Sequence, residues 1–312
     1  MDAGYFIRNG IIYGGGVVAT SNPNLLDNPW FTVNQRGASS YTGSKYTVDR
    51  WYVNDGNSVG TLNVTSDGVS YVRTATTSNP FLLWQKAETI LPIATYTLSV
   101  KYKTSRNISG KSSYRLLATR DTTSTNLAYL DLPTSSDWSI ATLTFTTNEK
   151  LAIGMIIQDR GATDGGASIG DTIEVACVKL EIGSVSTLHL DTAPNYATEL
   201  LKCQRYFVRL KQNSGKSLIG IGMAGSANNL ATTIMLPIEM RTIPAVSVSD
   251  ATDFYYGTNS AYTTMTEQPT SVTRNGGTAQ QVGINYNKTG AFTVGQMYGM
   301  AGKGYIDFTA DL

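Results

Sequence analysis

Few residues in the chain could carry chemistry. There is one histidine, His189, and there are two cysteines, Cys177 and Cys203. A nucleophile–base–acid triad needs a base beside its nucleophile. His189 stands in a stretch that reads as a connector, and Cys203 has no base near it in sequence. Neither cysteine has CxxC spacing or a neighbouring histidine, which excludes a metal knuckle. Both read as reduced, semi-buried small apolar residues. Gly110-Lys111-Ser112 and Gly215-Lys216-Ser217 lack the leading glycine and the following helix of a phosphate-binding loop, and read as turns. Asp159, Asp164 and Asp171 flank the glycine-rich run Arg160 to Gly166. A glycosidase would need two such carboxylates across a cleft. Aspartate and glycine are also what tight turns require, and the turn reading is the one adopted. No catalytic residue is assigned, and no enzymatic activity is expected.

Binding chemistry remains. Sugars are held by aromatic faces together with a few fixed polar groups. Tyr41 and Tyr46, and later Asp253, Tyr255, Tyr256, Asn259 and Tyr262, stand in polar, loop-like stretches and are the candidate ligand residues. The second group would sit on a loop at one end of a sandwich, where binding loops concentrate. A contact between subunits is the competing reading for the same residues. Trp51, Trp84 and Trp138 fall inside strand-like blocks and read as core. Trp30 and Phe31 read as core or interface.

The elements that must position these residues are strands. The 312 residues allow two ordinary domains or one large one. Charged residues make up 15%, well under the usual quarter or so. Abundant Thr, Tyr, Val and Gly fit an all-β protein with uncharged polar surfaces. A formal charge of +1 without a basic cluster disfavours nucleic-acid binding. No apolar run is long enough to span a membrane, and the first residues lack the basic n-region of a signal peptide. A soluble chain, made in a reducing cytoplasm, is expected.

Four segments follow from composition and periodicity. Residues 1–23 hold short apolar pieces, with Phe6, Ile7, Ile11, Ile12, Val17 and Val18 broken by glycines. They cannot form a core alone and read as a docking arm, with a frayed tail or a strand added to the next domain as the alternatives. Residues 24–183 alternate with period two in short blocks such as Thr61-Leu62-Asn63-Val64-Thr65 and Tyr96-Thr97-Leu98-Ser99-Val100, the pattern of a β-sandwich. Residues 184–206 form a linker with a short helix of about three turns. Pro194 suits its first turn, Asp191 or Thr192 could cap it, and Tyr196, Leu200 and Cys203 or Gln204 would share one face. Residues 207–312 again read as strands, a second sandwich at the tip.

Several of these stretches together resemble known proteins. Asn24-Leu25-Leu26-Asp27-Asn28-Pro29, Gln35-Arg36-Gly37 and Asp49-Arg50-Trp51 resemble the start of a jelly-roll module found in phage tail and fibre proteins and in carbohydrate-binding modules of glycosidases. Leu83-Trp84-Gln85-Lys86, Trp138 ahead of Ala141 to Thr146, and Ile173 to Glu181 look like its later strands. Leu180-Glu181-Ile182-Gly183-Ser184 followed by Glu199-Leu200-Leu201-Lys202-Cys203-Gln204-Arg205-Tyr206-Phe207 is similar to a signature of phage tail-fibre and minor structural proteins. The resemblance implies a bacteriophage virion subunit of tail or capsid fibre, made in the host bacterial cytoplasm. It implies a homotrimer, attachment to other virion proteins through the N-terminal arm, and recognition of host cell-surface polysaccharide. Charge and hydropathy, as above, add neither nucleic acid nor membrane insertion to these partners. A head-fibre or decoration protein without a required ligand, and a polysaccharide depolymerase, are the alternatives. Many such modules hold a structural calcium through acidic residues of the last strand. Here that strand has Val175-Ala176-Cys177 at its centre, which leaves Asp27, Asp171 and Glu174 as the candidate oxygen ligands. A hard cation wants six or more oxygens, so this departure weighs against the metal.

Overall fold

A computed structural model describes residues 21–56, 58–105, 113–120, 125–159, 168–212, 217–258 and 267–311, with the backbone alone of 5–8 and 11–14. The described chain is nearly all-β, as its composition predicts, and every strand pairing is antiparallel. Near the N-terminus, Tyr5–Arg8 and Ile11–Gly14 pair as a hairpin that contains Phe6, Ile7, Ile11 and Ile12. Val17 and Val18 lie outside the described residues.

Two six-stranded sheets form the first sandwich. One runs, in spatial order, Asn126–Asp131, Tyr114–Arg120, Ile153–Asp159, Leu82–Lys86, Tyr52–Asn54 and Lys45–Tyr46. The other runs Ser139–Thr146, Thr95–Thr104, Thr172–Ile182, Gly68–Arg73, Gly60–Thr65 and Ser40–Tyr41. Neighbouring strands are mostly non-consecutive, so the chain passes repeatedly between the sheets. Period two decides which side chains fill the space between them. Along Ser139–Thr146, Ala141, Leu143 and Phe145 point inward and the threonines outward. The core holds Trp51, Tyr71, Tyr96, Tyr102 and a bed of Leu, Val and Ile. Arg73 and Asp159 form an ion pair at 2.6 Å with both side chains fully enclosed, and the Tyr71 hydroxyl donates to the same carboxylate. Gly68 is required where strands cross: a Cβ there would lie 2.1 Å from the Val175 carbonyl oxygen, and its φ is +139°.

The second sandwich pairs a three-stranded sheet, Phe207–Lys211, Tyr305–Thr309 and Ala245–Val248, with a six-stranded one. The latter runs Phe254–Gly257, Met297–Gly302, Ser217–Ser226, Asn229–Met235, Gln281–Asn287 and Ser271–Gly277. Phe254, Ile284, Tyr286, Met300 and Phe308 fill its separate core.

The helix between the sandwiches is Tyr196–Gln204, so its cap falls three residues after Thr192 and Pro194 lies ahead of its first turn. Asn195 caps it, accepting from the backbone N–H groups of Ala197 and Thr198. Asp191 is unavailable because it binds the enclosed Lys179 Nζ at 2.8 Å. The buried face is Glu199 and Cys203, whereas Tyr196 is exposed. Both cysteines are free and buried, and burial raises their thiol pKa values, that of Cys177 to about 11.

The segment Asn24 to Val53 ties the two sandwiches together. Glu199 accepts the Asn28 backbone N–H at 2.8 Å. Arg50 pairs with Asp27 at 3.0 Å and lies 3.5 Å over the Tyr206 ring. Arg36 bridges Asp49 at 3.3 Å and Asp311 at 2.7 Å, and stacks 3.8 Å over Phe207. The Gln35 side chain donates to the Phe207 carbonyl, and Arg209 donates to the Arg36 carbonyl. Arg205 forks onto Glu88, which also accepts the Tyr206 hydroxyl.

Burial dominates at Asp49 and pushes its carboxyl up to about 7, against the opposing pull of Gln35 and Arg36. Asp311 is raised for the same reason. A carboxyl whose folded pKa lies above its unfolded one holds its proton more tightly when folded. Its contribution is therefore present at low pH and lost as pH rises through the folded value. Urea-unfolding stability should fall by a few kcal/mol between the ordinary carboxylate range and about pH 7, at about 1.4 kcal/mol per tenfold difference in proton affinity. Asp49→Asn should flatten that slope, and an unchanged slope would assign the dependence elsewhere.

Candidate functional site

The outward face of the sheet ending in Lys45–Tyr46 carries aromatic side chains that the core does not use. Register sets Tyr46 opposite Tyr52, Tyr52 opposite Trp84, Trp84 opposite Ile156, Ile156 opposite Leu117, and Leu117 opposite Tyr129. Each of the six strands thus contributes one side chain to a single row across the sheet. One position away on each strand, Val53, Leu83, Ile157 and Leu116 fill the core on the opposite face. That separation follows from the alternation of successive side chains.

The rings of the row touch. Tyr46 and Tyr52 meet edge to face with centroids 5.1 Å apart, and Tyr52 and Trp84 are 5.4 Å apart at 54°. Tyr46, Tyr52 and Trp84 are half-buried, and Tyr129 is 56% exposed. Ile156 and Leu117 between them are each only 3% exposed. A half-buried aromatic group and the exposed Tyr129 therefore stand either side of a buried aliphatic middle. Trp84 and Tyr129 are three strands apart, about 14 Å at the usual interstrand spacing. The face suits an extended chain rather than a compact ligand.

Polar groups flank the row one pleat along, where Asn54, Gln158, Arg115 and Asp131 share the same face. Arg115 binds Asp131 at 2.7 Å and lies 4.2 Å over the Tyr129 ring, which fixes that platform. The Trp84 indole N–H is enclosed and has no hydrogen-bond partner among the described residues. This arrangement can stack against apolar ring faces and exchange hydrogen bonds with hydroxyls. It contains no activated nucleophile.

The second sandwich has a cleft of about 490 Å³ lined by Tyr256, Gly257, Thr258, Glu267, Ala291, Gln296 and Tyr298. Its aromatic residues are packed on one another. Tyr256 is 4.7 Å from Phe292 and 6.2 Å from Tyr298, and all three are buried. Lys288 pairs with Glu267 at the rim and lies 5.7 Å from the Tyr256 ring.

The sequence-predicted residues scatter. Tyr41 belongs to the first core, 7% exposed, with its hydroxyl donating to Asn34. Tyr46 stands at the end of the aromatic row. Tyr255 and Tyr256 are consecutive in a strand and so face opposite ways: Tyr256 inward to the core, Tyr255 half-buried on the outer side. Asp253 accepts the Ser249 hydroxyl, and its carbonyl accepts the Lys303 N–H. Asn259 and Tyr262 lie outside the described residues. The calcium ligands do not converge: Asp27 pairs with Arg50, Glu174 with Lys103 at 3.1 Å, and Asp171 accepts the Ser168 N–H. No group of three metal-ligating side chains forms among the described residues.

Two tryptophans also stand differently from expectation. Trp51 is fully enclosed in the core, but Trp84 faces outward, and Trp138 is half-buried with Lys103 Nζ 4.6 Å from its ring. Tyr52, Trp84, Arg115, Tyr129 and Gln158 were not legible as site residues. The available signal was parity: in Trp51-Tyr52 and Leu83-Trp84, one member must face out.

No family model matches the chain, and no curated protein matches it. Solved structures do. A family 61 carbohydrate-binding module in complex with β-1,4-galactotriose is 15% identical and matches with a TM-score of 0.35, covering 52% of this chain and 99% of that one. A putative sugar-binding protein from Bacteroides thetaiotaomicron is 14% identical, with a TM-score of 0.36 over 52% of this chain and 100% of the other. The enzymatically active domain of tailspike protein 4 from bacteriophage CBA120 is 13% identical, with a TM-score of 0.31 over 51% of this chain and 21% of the other.

The placement of the tryptophans makes a stability prediction. Trp51→Ala should cost about 3–5 kcal/mol, whereas Trp84→Ala should cost no more than about 1.5 kcal/mol. Urea-unfolding midpoints check this, and equal costs would put Trp84 in the core.

Proposed function

We propose that the chain is a non-enzymatic, glycan-binding subunit of a bacteriophage fibre that uses the outward face of its first sandwich to hold host cell-surface polysaccharide. The observation that carries the reading is the row Tyr46–Tyr52–Trp84 with Tyr129 beyond it, one residue per strand, flanked by amides and an Arg–Asp pair. Ring faces pack against sugar C–H groups, and the flanking polar groups fix orientation. The fibre context rests on the Leu180-to-Phe207 sequence signature. In that context the protein works as a homotrimer in the tail or capsid fibre, held to other virion proteins by its N-terminal hairpin. Each copy adds a weak contact, and the repetition gives adhesion.

The cleft of the second sandwich is the weaker site, because its rings are spent on one another. Binding of host polysaccharide to the purified full chain, with adsorption blocking in parallel, tests the proposal. Trp84→Ala and Tyr52→Ala should each weaken binding at least about tenfold, or ~1.4 kcal/mol, with the fold intact. Binding that survives both substitutions but is lost in Tyr255→Ala would move the site to the tip. Failure of the unmodified chain to bind any host polysaccharide would sink the reading, and release of reducing sugar would make the protein an enzyme.

A further inference from the structure

The outer face of the six-stranded sheet in the second sandwich differs from the other sheet faces. Ile221, Met223, Met235 and Met297 project from it and are 58%, 58%, 59% and 64% exposed. Met223 is opposite Met297 on one side and Ala231 on the other, so with Ile221 two residues along these apolar side chains are contiguous, and Met235 lies beyond Thr233. Toward one edge the face turns polar but uncharged, through Gln281, Asn285, Thr273 and Asn275. Across all six strands the only charged residue is Arg274, and it sits opposite Ile284, whose side chain belongs to the core side. The first sandwich is unlike this: its outward faces carry Lys86, Arg115 and Asp131 on one sheet and Lys101, Lys103 and Glu174 on the other.

Soluble sheets normally protect exposed faces and edges with charge. A contiguous uncovered apolar patch on a soluble chain marks an interaction surface. An apolar centre with methionine and a neutral amide and hydroxyl border is the composition of an interface. The dimensions also fit. Six strands at about 4.8 Å spacing and about seven residues at about 3.3 Å each give a face of roughly 24 by 23 Å. That is roughly 550 Å², the scale per partner of the smaller specific interfaces.

The absence of charge indicates the occupant. A partner that docked through charged side chains would have them desolvated here without counter-charges, which is costly. A neutral face meets its own copy with no such penalty. It also presents both a projection and a receptacle: Met235 stands clear, and a groove of about 330 Å³ lies among Ile221, Met223, Thr233, Gly283 and Met297. We propose that this face is buried against neighbouring copies of this chain, so that the second sandwich assembles the oligomer and leaves the aromatic row of the first sandwich free.

Sedimentation equilibrium of the full chain tests this. The native protein should have a mass that is a multiple of 33.6 kDa, and Met223→Glu with Met297→Glu should reduce it to the single-chain value with unchanged far-UV circular dichroism. A native protein that is monomeric at every concentration overturns the proposal, as does a folded double variant that keeps the native mass. Should that variant fail to fold, Met223→Cys decides. The native thiols are buried, so a short bis-maleimide reaches the new one alone. Covalent dimers are expected. Complete single labelling without dimers overturns the assignment.

Discussion

Everything else in the chain depends on how two buried polar residues, Asn28 and Asp49, are satisfied. Neither is exposed to solvent. The Asn28 amide donates to the carbonyls of Val33 and Asp49 and accepts the Val33 N–H, and its own carbonyl accepts the Trp51 indole N–H. Asp49 accepts the Gln35 N–H and the Arg36 guanidinium. These bonds hold the backbone in a shape it would otherwise avoid. Asn28, Phe31 and Arg50 have φ values of +48°, +56° and +73°, each unfavourable by about 1–3 kcal/mol for such residues. The knot aims Arg36, Gln35 and Arg50 at Phe207 and Tyr206, and offers the Asn28 N–H to Glu199. It is at once part of the first core and the socket for the second sandwich.

The division into faces follows. The first sandwich spends one tryptophan, Trp51, on the core beside this knot and turns Tyr46, Tyr52 and Trp84 outward from adjacent strands. The second sandwich does the reverse at its cleft, burying Tyr256, Phe292 and Tyr298 together and leaving methionines outside. Ring exposure separates a surface suited to flat ligands from one suited to another protein.

Much of this was legible in the sequence. Low charge and period two gave the strands, because alternation in Ser139–Thr146 is nearly strict. The helix was legible as an element but not in its cap, since Asp191 is taken up by Lys179, twelve residues away in sequence and enclosed. Tyr41 resembled a loop residue because Ser39, Ser40, Thr42 and Gly43 surround it, yet a short strand carries its ring inward. The aromatic row was illegible for a different reason. Phe81-Leu82-Leu83-Trp84 is apolar throughout, so no alternation shows which residues face out. Tyr46, Tyr52, Trp84 and Tyr129 are joined only by register, which is a tertiary property.

The central claim is that the aromatic row is where ligand is held. The chain has four tryptophans, and only one of them belongs to that row. Nitrogen-resolved NMR of the four indole N–H groups, during titration with host polysaccharide fragments, reports on each separately. The account predicts that the Trp84 signal shifts in a saturable way while the enclosed Trp51 signal stays in place. Saturable binding with Trp84 unmoved would contradict it.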